Sequence, residues 1–228
     1  MIIIGRLEPS LEIPAELREI YGHVAGSLID TLGVLDELTI LFSTSREAVD
    51  LMNQTAPTFF VRHEQLLFHH IILFVSRLTD DKRSGSRKNP QENLTLSRLL
   101  DLEPEYHKLR VDLRKKLGVI KEDAKPMRLF RHKVLAHASL VHHLSLSTKL
   151  AGDITLKSMK DLLNKIGDYL VTFDCFFTRV DAQLYYSQGY GEASDLLAYL
   201  RRAVDAETKQ NDDRRLIVDC RSSRKMQS

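Results

Sequence analysis

The feature that most limits what this chain can become is a run of apolar residues at alternating three- and four-residue steps: Leu156, Met159, Leu163, Ile166, Leu170, Phe173, Phe177, Val180 and Leu184. Steps of that size return to one side of an α-helix at 3.6 residues per turn, whereas a strand needs steps of two. The run predicts the longest helix of the chain, capped at Thr155 after a polar break at Gly152-Asp153. Its nine positions make a seam of the coiled-coil type, long enough to cross a whole domain. Such a seam serves either its own bundle or a second subunit, and spacing leaves both open.

The rest of the chain repeats the pattern. Pro14 suits the first position of a helix, and from there Leu17, Tyr21, Val24, Leu28, Leu35, Leu38 and Phe42 form a stripe interrupted at Thr31. Thr44 and Glu47 have capping-box spacing for a short helix through Met52. After Thr55-Ala56-Pro57 the next helix carries two apolar stripes, one of Phe60, Leu67, Ile71, Phe74 and Leu78 and another of Phe59, Leu66 and Leu73. Apolar nearly all round in its latter half, it is predicted to be the central, most buried helix. Residues 80–93 combine Gly, Pro, Ser and charge without periodicity and read as a loop, whose Lys82, Arg83, Arg87 and Lys88 are either solvated or in contact with a nucleic-acid backbone. Thr95 can cap a short helix through Leu100, and Pro104 opens another through about Leu117 that Gly118 closes. These two are expected as a satellite layer. A Gly189-Tyr190-Gly191 turn precedes a last helix near 192–207, with Leu196, Leu197, Leu200 and Val204 on its apolar side. No β pattern competes, so the fold class is all-α: a helical bundle with long helices. Residues 1–207 are expected as one domain, and the polar tail 208–228 is expected to fray.

Composition bounds the function. An apolar content of 43% over 228 residues supplies a packed core. The 33 basic against 31 acidic side chains leave net charge silent about nucleic acid. The distribution is more informative. From Tyr106 to Lys133 there are ten basic residues, among them Lys125, Arg128 and Lys133, against three acids. That excess attracts a phosphate-rich substrate, or else marks a solvated helix face. Cys175 and Cys220 have no CxxC spacing, so a reducing cytoplasm is the expected compartment. The opening Met1-Ile2-Ile3-Ile4-Gly5-Arg6 is too short for a signal or a membrane span, and no membrane partner is expected. The adjacent pairs His69-His70 and His142-His143 point about 100° apart on a helix and cannot chelate as an i, i+4 pair would, so neither metal nor cofactor is expected. His63 and His70 read instead as hydrogen-bonded boundary residues. Walker, GxSxG and GxGxxG patterns are absent, which disfavours NTPases, serine hydrolases and dinucleotide enzymes.

Chemistry concentrates in Arg131-His132-Lys133-Val134-Leu135-Ala136-His137. A guanidinium can hold a phosphate oxygen and an imidazole can move a proton, the minimum for phosphodiester chemistry without a metal. On a continuous α-helix positions 131 and 137 lie about 120° apart. Either the helix loosens before His137 or another copy of the chain completes the site. Arg131 followed by a polar residue and then His137 resembles the R-x(4–6)-H motif of HEPN domains. Ser76-Arg77-Leu78-Thr79-Asp80 and Asn93-Leu94-Thr95-Leu96-Ser97-Arg98-Leu99-Leu100 resemble segments of the AbiU-like, abortive-infection branch. His132 stands where many members carry asparagine or aspartate.

The resemblance implies an all-α bundle of the HEPN type acting as a metal-independent endoribonuclease, with phage defence or a toxin–antitoxin pair as its setting. In the implied reaction a ribose 2′-hydroxyl attacks the adjacent phosphorus, leaving a 2′,3′-cyclic phosphate. Arg131 would stabilise charge on the phosphoryl oxygens, and His137 or His132 would carry the proton. Lys125, Arg128 and Lys133 would hold RNA. The implied partners are RNA, a second copy forming a homodimer with facing motifs, and an antitoxin protein. Two other readings stay open: a HEPN-like module that binds RNA or a nucleotide without cutting it, and a structural helical adaptor.

Overall fold

In the computed structural model the described residues are 12–86, 89–136, 153–179 and 192–225, with side chains of the last helix described through Gln210. Helix α1 spans Ala15–Phe42, directly after Pro14, whose carbonyl accepts the Arg18 amide at 2.9 Å. Thr31 is fully buried, and its hydroxyl donates to the Ser27 carbonyl at 2.8 Å, so the interruption of the stripe leaves no polar atom unpaired. Helix α2 spans Arg46–Thr55 and is capped by Ser45 rather than by Thr44. Ser45 has the extended backbone of an N-cap and its hydroxyl accepts from the Ala48 amide at 3.1 Å, while the Thr44 hydroxyl turns back to the Thr39 carbonyl at 2.9 Å.

Helix α3, Pro57–Thr79, buries only one of its two stripes. Phe60, Leu67, Ile71, Phe74 and Leu78 are at most 7% exposed, whereas Phe59, Leu66 and Leu73 are 59%, 66% and 48% exposed. The latter half is nonetheless buried around most of its circumference, as expected, since Ile72, Val75, Ser76 and Thr79 are fully buried beside that stripe. Only the side carrying Phe59, Leu66, Leu73 and Arg77 is left uncovered by its packing neighbours.

The expected loop at 80–93 is an antiparallel hairpin instead, with β1 Arg83–Ser86 and β2 Asn89–Glu92. It has no apolar alternation to announce it. Cross-strand polar bonds hold it: the Arg83 guanidinium meets Glu92 at 2.7 Å and the Asn93 amide donates to the Lys82 carbonyl at 2.8 Å. Gly85 sits at φ 87°, and a β-carbon there would lie 2.6 Å from the Asn89 carbonyl oxygen.

Two short 3₁₀ turns follow, Leu96–Leu100 and Pro104–Tyr106, and then α4, His107–Asp123, with Gly118 inside it. A mid-helix glycine costs about 1 kcal/mol. Leu109, Leu113, Leu117 and Ile120 bury one face of α4, at about 1.5–3 kcal/mol each, and outweigh it. This region is core, not a satellite layer, since Leu96 and Leu99 are fully buried and the Tyr169 hydroxyl donates to the Leu96 carbonyl at 2.8 Å. Burial pushes the Tyr169 phenol up, so it remains a donor.

Helix α5, Lys125–Phe130, follows α4 after Ala124 and runs into a π-helical turn, Arg131–Ala136. Helix α6 spans Leu156–Thr178, opened by the expected cap: the Thr155 hydroxyl accepts from the Ser158 amide and the Ser158 hydroxyl accepts from the Thr155 amide. Arg179 ends it in the left-handed conformation. Val180, Leu184 and the Gly189–Gly191 turn lie outside the described residues. Helix α7 spans Ala193–Lys225 and so continues past residue 207.

The chain divides into two units, Met1–Leu35 with Leu67–Ser187 and Asp36–Leu66 with Gln188–Ser228. In the first, α4 packs along α6, Tyr21 of α1 stacks on Phe173 of α6 with ring centroids 5.6 Å apart, and Phe68 of α3 meets Phe130 of α5 edge-on at 5.7 Å. In the second, Leu41, Met52, Phe60 and Ala193 form the core, with Leu197 and Leu200 of α7 against it, and His63 bonds Glu37 at 2.8 Å. Among the described residues no helix is long and apolar enough to cross a membrane.

Candidate active site

Arg131 lies where the winding changes. A π turn spends one more residue per hydrogen-bonded ring than an α turn and re-aims the side chains that follow. The helix therefore does loosen after Arg131, and the 120° separation of a continuous α-helix does not apply over Arg131–Ala136. His137 itself lies outside the described residues, as do His142 and His143. His132 is exposed at the second position of the turn.

The Arg131 guanidinium is gripped by a carboxylate 51 residues away in sequence. Nη1 donates to Asp80 Oδ2 at 2.5 Å and Nη2 to Asp80 Oδ1 at 3.3 Å. Arg128 approaches the same carboxylate, Nε lying 3.7 Å from Oδ1. One anion thus separates two guanidiniums that would otherwise repel. The Arg131 and Asp80 side chains are 30% and 26% exposed, which leaves the pair less screened than a surface bridge. Asp80 directly follows α3, whose last residue, the buried Thr79, donates its hydroxyl to the Val75 carbonyl at 2.8 Å.

The second family-like segment is tied to the same place through the hairpin. Arg98 donates to the Lys82 carbonyl at 2.9 Å and to the Asn93 carbonyl at 3.1 Å, and it pairs with Glu92. Lys82 pairs with Asp101. The chain leaving Asp80 is therefore braced at both hairpin ends by the segment around Arg98.

Arg131 also lines an open cleft of about 370 Å³. Helix α1 contributes Ser27, Asp30 and Thr31, at steps of three and one. Helix α3 contributes His70, Leu73, Phe74 and Arg77, the i, i+3, i+4, i+7 positions of one helix side. The Arg77 guanidinium lies over the Phe74 ring at 5.9 Å. His70 is exposed and has no hydrogen-bond partner among the described residues, so its reading as a satisfied boundary residue is corrected. His69, its neighbour, turns the other way, with its ring 6.0 Å from that of Phe130. Partial burial lowers its pKa, which favours the neutral imidazole.

The residues expected to hold RNA are partly brought together. Arg128 shares Asp80 with Arg131, Lys133 is half-buried on the π turn, and Lys125 is paired with Glu122 at 2.6 Å. Part of the basic excess is neutralised locally, since Lys121 also faces Asp81 at 3.9 Å. Among the described residues no group of three or more His, Cys, Asp or Glu could hold a metal ion.

Asp80, His70, Arg77 and Asp30 escaped sequence reasoning as site residues. Arg77 and Asp80 stood inside a family-like segment, and the spacing of His70 and Arg77, seven apart across the exposed Leu73, was the available signal. A family model, HEPN_AbiU2, described as AbiU2, matches residues 15–172. That span contains the cleft, Asp80, the hairpin and the π turn. No curated protein and no solved structure gives a significant match.

Proposed function

We propose, from the premise that this chain belongs to the AbiU2 family of HEPN proteins, that it is a metal-independent endoribonuclease working in the cytoplasm against phage or as the toxin of a toxin–antitoxin pair. The observation that carries this reading is Arg131: it is braced by Asp80 yet lines an open cleft. Asp80 occupies two of its five N–H donors and leaves three for a phosphate. A cleft of about 370 Å³ falls in the usual range of small-ligand sites and suits about one nucleotide. In the reaction the 2′-hydroxyl loses its proton as its oxygen bonds to phosphorus, and the 5′-oxygen gains one as it leaves. Arg131 stabilises the charge on the phosphoryl oxygens, His137 or His132 moves a proton, and Lys125, Arg128 and Lys133 draw in the backbone.

The test is incubation of the purified chain with single-stranded RNA in excess chelator. The expected products carry 2′,3′-cyclic phosphate and 5′-hydroxyl ends, and Arg131→Ala lowers the rate at least about 10²-fold. His137→Ala and His132→Asn, run beside it, identify the proton carrier. Loss of cleavage on chelation, restored by magnesium, would refute the metal-free mechanism. A second reading is favoured by Asp80 already filling part of the Arg131 fork: a module that holds RNA or a nucleotide without cutting it. Tight binding with intact RNA would select that reading.

A further inference from the structure

The cleft holds more nitrogen chemistry than the motif supplies. Arg77 and His70 stand on the same side of α3 as its other lining residues and share the cleft with Arg131. Neither has a hydrogen-bonded or ionic partner among the described residues, and both are exposed. Unlike Arg131, whose carboxylate brace is visible, Arg77 is held only by stacking over Phe74. An unpaired guanidinium over an aromatic ring, with an unpaired imidazole two helical turns away in the same cleft, is an arrangement suited to an incoming anion and a proton transfer.

Resting on the ribonuclease reading, we propose that one chain supplies a two-arginine phosphate clamp, Arg77 with Arg131, and that His70 is the second proton carrier. The ligand is the phosphodiester backbone of single-stranded RNA. The reaction moves two protons, and His70 lines the cleft that Arg131 also lines, where one of them can be taken up or given. As the bond between the 2′-oxygen and phosphorus forms, one imidazole accepts the 2′-hydroxyl proton. As the bond between phosphorus and the 5′-oxygen breaks, the other imidazole, protonated beforehand, gives its proton to the departing oxygen. The motif provides one imidazole and His70 the other, and exchange with solvent resets both. Leu73, 48% exposed, offers an apolar floor for a base or ribose face, and Asp30 can accept from a sugar hydroxyl or a base amino group.

The experiment measures two quantities on the full chain: cleavage of single-stranded RNA, and binding of the same sequence with 2′-O-methyl riboses, which cannot cleave itself. Arg77→Ala is expected to weaken binding about tenfold and to flatten the slope of log affinity against log salt by about 0.7. His70→Ala and His70→Gln are expected to bind within about twofold of wild type but to cleave at least about 10²-fold more slowly. Thermal melts of all variants confirm folding, and Lys160→Ala, on the exposed side of α6, controls for removal of a charge. Wild-type cleavage with Arg77→Ala and His70→Ala unaffected overturns the inference and leaves the ribonuclease reading standing. Binding that depends on Arg77 in a wild-type chain that cuts no RNA overturns the ribonuclease reading and the role of His70, while the clamp survives. Absence of both binding and cleavage overturns all of it.

Discussion

Under the proposed function, the contact of Asp80 with Arg131 would serve chemistry and stability together. The fork of Arg131 would sample many orientations without a partner, and each would carry an entropic cost at the moment a phosphate arrived. Asp80 removes that freedom and also offsets the repulsion from Arg128. Asp80→Asn keeps the size and loses the charge. Its expected cost is about 1–3 kcal/mol in folding, the scale of a hydrogen bond to a charged group that is partly shielded. Cleavage is expected to fall about tenfold or more, measured as kcat/KM on single-stranded RNA. A faster enzyme would instead show that the carboxylate blocks the fork. Arg131 stood out as a candidate because the residues of its segment are neighbours in sequence. Asp80 was not, because nothing in the chain declares which of its 31 acidic residues will reach a given arginine.

At the scale of elements, local chemistry and periodicity were read more reliably than the choice among equivalents. The cap of α6 at Thr155 is where its spacing placed it. For α2, adjacent hydroxyls competed, and the extended backbone at Ser45 decided between them. Ser45→Ala should therefore lower stability by about 1 kcal/mol in urea titration, while Thr44→Ala should lower it by no more than a few tenths. Equal losses from both would show that the cap is shared. The hairpin at 83–92 was invisible for a different reason: its cohesion comes from Arg83, Glu92, Asn93 and Arg98, polar groups that mark loops as readily as strands. Gly118 misled because a helix that buries four apolar residues tolerates one glycine.

At the scale of the whole molecule, the proposed dimer turns on the surface that a second copy would touch. The described part of the long seam is consumed within its own chain: Met159, Leu163, Ile166, Leu170, Phe173 and Phe177 are fully buried. From Met159 to Phe177 the seam therefore gives no argument for a dimer. Arg131 and His137 facing their counterparts remain the motive for it, and sedimentation at micromolar concentration is expected to give about twice the 26.2 kDa of the chain. A monomer that cleaves RNA would show that one chain completes the site. Sequence by itself determined the all-α class, the order of the long helices and the family, because period, caps and short family-like segments are properties of neighbouring residues. Only the tertiary structure decided which stripe of α3 is covered, that Asp80 grips Arg131, and that His70 and Arg77 share its cleft. Those depend on residues far apart in sequence, and the physical reason is that one helix presents several competent sides while packing selects among them.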